Sequence, residues 1–162
     1  GSAYHAVWRM TGMEELLGLL DRLTVILGEL TAVQKDVAAS VHEDDLIRLG
    51  ECMKKEQALS LSLRNIDQKR LRLQQQMGLE KITLSALPEQ IDSMELREKV
   101  KDAAERLSAQ YRIMQSAAEV ARSALECSLH QVENMIAGLG LDPEHVKDHT
   151  ITTGGPHTDF RA

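Results

Sequence analysis

The chain has 162 residues, 43% of them hydrophobic but only 2% aromatic, and carries 25 acidic against 19 basic residues for a formal net charge of −6. That length fits one domain with a sizeable core, and the near absence of rings makes the core aliphatic, which favours helices over sheets because strands draw on β-branched and aromatic side chains. The acidic balance leaves no basic footprint for phosphate backbones, so no nucleic acid partner is expected; no apolar run approaches the roughly 18 to 20 residues of a membrane span, and no signal peptide pattern opens the chain, so a cytoplasmic protein without membrane insertion is expected.

Gly1-Ser2 reads as a cloning scar, and residues 1–12 are set apart as a tag or uncertain N-terminal segment. Thr11 with Glu14 three residues later has the spacing of a capping box, and the first helix is expected over about residues 13–39. Its seam is Leu16, Leu20, Leu23, Leu27, Leu30, Gln34, Val37 and Val41, a heptad repeat with one polar interruption. A second apolar line at Leu19, Ile26 and Val33 widens the face beyond what a two-stranded coiled coil requires, so at least two neighbouring helices are expected. Ser40 with Glu43 repeats the capping spacing and predicts a break near Val41, followed by an antiparallel partner after a short turn.

The second helix is expected over about residues 43–77, with a seam of Leu49, Cys52, Leu59, Leu63, Ile66, Leu73 and Met77. Glu56 and Arg70 break that seam, which predicts one wet flank, and Gly78 is placed to cap the helix. In the connection of residues 79–91, one helical turn near 83–87 is expected to close at Pro88, and Leu79, Ile82, Leu84, Leu87 and Ile91 are apolar enough to cover one end of a bundle. Asp92 with Glu95 opens the third helix, which nothing stops before "AGLG" at residues 137–140. Its seam, from Val100 through Ala104, Leu107, Tyr111, Met114, Ala118 and Ala121 to Leu139, holds the four-three alternation throughout.

At about 1.5 Å per residue the three helices would measure roughly 40, 50 and 65 to 70 Å, so the third overruns the cover of the others by two or three turns. A hinge near Ala118 to Ala121 is the alternative, folding that end back. The fold expected is therefore all-α: an antiparallel helical hairpin plus a long third helix, a coiled-coil-like bundle over residues 13–139, with a flexible tail at 140–162.

Little in the sequence points to catalysis. His145 and His149 have the i, i+4 spacing of paired metal ligands but lack a third ligand of suitable spacing. No Glu-x-x-His of the di-iron bundles occurs, nor a GxSxG elbow or Gly-rich phosphate loop, and Cys52 and Cys127 have no CxxC spacing. No catalytic residue, metal or cofactor is therefore expected. Gly18, Gly28 and Gly50 inside helices read as tolerated or as sites of close helix approach, and Glu56, Asp67 and Arg70 as solvated charges.

The surface that stands out is the end of the third helix, where Leu125, Leu129, Val132, Met135, Ile136 and Leu139 form one apolar stripe. Read from the residues, it either packs on the N-terminal segment, the 79–91 connection or a second copy, or forms an adaptable binding face.

A hairpin whose second helix reads "DDLIRLGECMKKEQALSLSLRNIDQKRLRLQQQMGL", then "ITLSALPEQI", then a long helix ending "ALECSLHQVENMIAGL" resembles the FlgN family of flagellar export chaperones over roughly residues 13–139. The resemblance rests on Lys55, the Asp67 and Arg70 pair, Met77-Gly78, "TLSAL", and Leu125 with Ser128-Leu129. It implies a cytosolic chaperone, not an enzyme, that binds the C-terminal helical segments of hook-associated (hook-filament junction) proteins before export through the flagellar type III apparatus. Binding through the C-terminal part is implied, which assigns the stripe from Leu125 to Leu139 to the client and the tail to the client or the export machinery. The alternative is a structural coiled-coil module that forms homo-oligomers and binds no client.

Overall fold

The computed structural model describes the backbone of residues 2–140, with side chains from residue 9 onward. The chain folds as α1 (Ser2–His42), α2 (Leu46–Gln76), a short 3-10 helix η1 (Leu87–Gln90) and α3 (Met94–Gly138), with no strand among the described residues. The expected all-α hairpin with a long third helix is the observed architecture. The tail beyond Gly140, with His145 and His149, lies outside the described residues.

Several local expectations are corrected. α1 begins at Ser2, so Thr11 and Glu14 lie inside it and form no capping box. The segment before Met13 contains no proline, and Gly12 is accommodated because it faces the end of α2: a Cβ there would stand 3.0 Å from Met77 Sδ. Ser40 likewise caps nothing, since its hydroxyl donates back to the Asp36 carbonyl at 2.7 Å and α1 continues to His42. The break is made by the next residues. Asp44 takes a left-handed φ of 54°, which an Asp tolerates better than most side chains, and Asp45 accepts from the Arg48 amide at 3.0 Å as the true N-cap of α2. Arg48 then ties the turn to both sides, its guanidinium donating to Asp36 and to Glu43 at 2.8 Å each.

α1 is the central element, packing against both α2 and α3, which approach it more closely than they approach each other. This answers the double apolar face of α1: Leu16, Leu20, Leu23 and Leu27 are completely buried, with Leu19 and Leu30 beside them. They meet Leu63, Ile66 and Leu73 of α2 and Val100, Ala103 and Leu107 of α3 in one large core. A smaller core of Val33, Val37, Cys52 and Ala121 lies toward the α1–α2 turn. Around the transition between the two cores sit polar residues. Thr31 accepts from Gln110 Nε2 at 3.1 Å, and Gln34, the polar interruption of the first seam, hydrogen-bonds Glu56, the interruption of the second. Polar groups that satisfy each other at seam positions favour one register over its neighbours.

The wet flank expected on α2 is absent, because Glu56, Asp67 and Arg70 are all buried. Arg70 donates to Asp67 at 2.7 Å and to Gln74 Oε1 at 2.6 Å, and Gln74 Nε2 reaches the Leu79 and Ile82 carbonyls at 3.2 and 3.4 Å. The charges are tolerated inside because each finds a partner. They also hold the first residues of the connection. Gly78, at φ +72°, makes the left-handed exit from α2, and Leu84, Leu87 and Ile91 are buried over the end of the bundle. The short turn falls later than expected: Pro88 lies at the start of η1 and does not close a helix over 83–87. Ser93, one residue after Asp92, is the N-cap of α3.

Candidate functional site

Two cross-links set the register of α3. Arg106 Nη2 donates to Asp21 at 3.3 Å and Gln110 Nε2 to Thr31, so α3 runs in the same direction as α1. Ala121 joins Val33 and Val37 further along. At this register the end of α1 at His42 stands level with about residue 126, and residues 127–138 run past the hairpin for about three turns. α1 has 41 residues and not the shorter span expected, but its extra length lies at the opposite end and leaves this overhang in place.

Ala121 is the last residue of α3 that is buried. Among the stripe residues, Leu125 is half-buried and packs against the smaller core, so it belongs to the edge of the bundle. Leu129 and Ile136 are half-buried. Val132, Met135 and Leu139 are 42, 68 and 72% exposed. The helix that carries them is continuous through Ala118 and Ala121, with no break at the expected hinge. It ends where Leu139 N donates to the Met135 and Ile136 carbonyls and Gly140 turns out at φ +78°.

The hairpin tip adds residues the sequence reading did not single out. Leu46 and Ile47, in the first turn of α2, are 78 and 80% exposed at the end of the bundle from which the overhang departs. Adjacent helical positions point about 100° apart, so two neighbouring aliphatics off the seam were the available signal.

The described residues contain no group of three His, Cys, Asp or Glu side chains able to hold a metal ion. Cys52 is buried in the smaller core, Cys127 is exposed on the overhang, and both are free. The Glu56 carboxyl sits between α1 and α2: burial pushes its titration up, while the hydrogen bond from Gln34 acts in the opposite direction. What this arrangement can do is present a helical apolar face, standing clear of a rigid body, to another helix.

No helix among the described residues is long and apolar enough to cross a membrane. Neither the curated proteins nor the solved structures include a match to this chain. The FlgN protein family, however, matches over residues 10–145, which takes in all of α2 and α3, the connection between them and most of α1. The chain therefore belongs to the FlgN family of flagellar export chaperones.

Proposed function

We propose that this chaperone binds the C-terminal helical segment of flagellar hook-associated (hook-filament junction) proteins in the cytoplasm, keeps them from assembling early, and delivers them to the type III export apparatus. The observation that supports this reading is the overhang: Val132, Met135 and Leu139 remain exposed on a helix that runs beyond its own bundle. The client lays the apolar face of a terminal helix along the stripe from Leu125 through Leu129, Val132, Met135 and Ile136 to Leu139, and burial of that face drives association. Met135 gives the face a flexible, polarizable side chain that adapts to more than one client surface. No bond is made or broken, so neither a catalytic residue nor a cofactor takes part. Residues 13–139 form the chaperone body in this scheme, and residues 140–162 contact the client or the export machinery.

Calorimetric titration with the C-terminal segment of a hook-filament junction protein tests the proposal, using the wild-type chain beside a Val132→Asp, Ile136→Asp variant. The expected result is saturable binding that the variant loses while its helical content and unfolding transition stay unchanged. Binding that survives both substitutions moves the site elsewhere. Absence of binding, together with concentration-dependent sedimentation, replaces the chaperone reading with the self-associating coiled coil.

A further inference from the structure

Grooves flank α1 along its contacts with both neighbours. The one against α2 is lined by both signs of charge, Asp21 and Glu29 with Arg22 and Lys69. The one against α3 is different in kind. It encloses about 720 Å³ over a floor of Ala38, Ala117, Ile113 and Val120, its rim carries Lys35 and Arg112, and no acidic side chain lines it. In a chain of net charge −6, this is a local reversal of sign.

The two cations are not neutralised within the bundle. Neither Lys35 nor Arg112 belongs to an ion pair among the described residues. Arg112 also borders a cleft over η1 lined by Glu89, Glu98 and Glu105, and none of these acids holds it. The floor is likewise uncovered, with Ile113 and Val120 among the exposed aliphatics of α3. Ile113, Ala117 and Val120 follow the four-three spacing of a helical ridge, and the same line reaches Ala124 near the end of the bundle.

We infer that the α1–α3 groove is a second docking segment for the client, and that it takes an amphipathic helix with an apolar face flanked by Asp or Glu residues. The inference rests on the chaperone reading and extends its site back along the bundle. Charge selects this occupant: carboxylates on the helix flanks meet Lys35 and Arg112, while the apolar face covers Ile113 and Val120. A second copy of the chain is a poor occupant. A two-fold pairing through this groove would set Lys35 and Arg112 against the same residues of the partner subunit, like charge against like.

The test is calorimetric titration of the full chain with the C-terminal segment of a hook-filament junction protein at low and high salt. Three proteins are compared: wild type, a Lys35→Glu, Arg112→Glu variant, and the Val132→Asp, Ile136→Asp variant. Both groove positions are exposed, so their reversal leaves the fold intact, as circular dichroism will verify. The expected result is a loss of affinity of about tenfold or more on reversal, together with loss of the salt dependence seen in wild type. An Ile113→Asn substitution should weaken binding without changing that salt dependence. Unchanged affinity in the reversed variant, with binding abolished by the overhang substitutions, overturns the groove and leaves the overhang standing. Weakening by the groove variants alone supports the groove and removes the overhang from the site. Failure of the wild-type chain to bind overturns both, as does a homodimer that dissolves on Lys35→Glu, Arg112→Glu reversal.

Discussion

Between Met94 and Ala121, α3 buries Val100, Ala103, Ala104, Leu107, Met114 and Ala121 against its neighbours, and Leu125 still packs on the smaller core; from residue 127 onward the same heptad spacing buries no side chain completely. The two regions are one uninterrupted helix with similar aliphatic composition. They differ in what stands opposite. The first faces α1, which runs beside it, and the second begins where α1 has ended. An apolar seam therefore reports only that a face needs cover. Whether the cover comes from the same chain or from another protein depends on relative helix lengths and register.

If that comparison is right, the largest losses of stability come from the covered region. Asp67→Ala leaves the Arg70 guanidinium buried without its carboxylate and is expected to cost about 3–5 kcal/mol, read from urea unfolding. It also loosens the connection, because Arg70 holds Gln74 and Gln74 holds the Leu79 and Ile82 carbonyls. Leu107→Ala, at a completely buried site on α3, is expected to cost about 2–5 kcal/mol, whereas Met135→Ala on the same helix should stay within about 0.5 kcal/mol. Equal losses at the two positions would mean that the overhang is covered by its own chain.

Glu56 sharpens it from the polar side. Its carboxyl is raised above the ordinary value of 4.5 by burial, so the folded state keeps the proton to higher pH than the unfolded chain does. Stability attributable to this group is therefore present at low pH, falls as the pH rises from 4.5 through the raised folded value, and levels off above it. Glu56→Gln should add about 1 kcal/mol at neutral pH and remove that slope in unfolding curves taken between about pH 4 and 8. The smallest effect belongs to the helical glycines. Gly18 and Gly28 have open space where a Cβ would stand, so alanine at either should stabilise by roughly 0.5–1 kcal/mol. Gly12→Ala should not, because its Cβ would press on Met77 Sδ. Of the two readings of Gly18, Gly28 and Gly50, the open space at each fits simple tolerance, and the close helix approach is at Gly12.

The outlines of the helices were legible because aliphatic periodicity is written along the chain, and seam residues from Leu16 to Leu30 are buried as that pattern requires. Helix ends were less legible. Thr11, Ser40 and Asp92 each have the right neighbour three residues later, but a capping box acts only where the backbone is already leaving the helix, and at Thr11 and Ser40 it is not. The charged interruptions were misread for a related reason. Glu56, Asp67 and Arg70 look solvated when taken singly, and only the fold shows that Gln34 and Gln74 are placed to receive two of them. Of the candidate site, the stripe could be read from spacing; that Leu125 belongs to the smaller core and that Leu46 and Ile47 are exposed at the tip could not.

Sequence alone determined that this protein is helical, that each long helix has an apolar face, and that the last of them carries that face to its end. Those properties follow from side-chain size, branching and period, which are local. Tertiary structure decided which polar residues meet, which way α3 runs beside α1, and hence which aliphatics are left outside. These are matters of register, and register is set by contacts between residues far apart in the chain, such as Asp21 with Arg106 and Thr31 with Gln110.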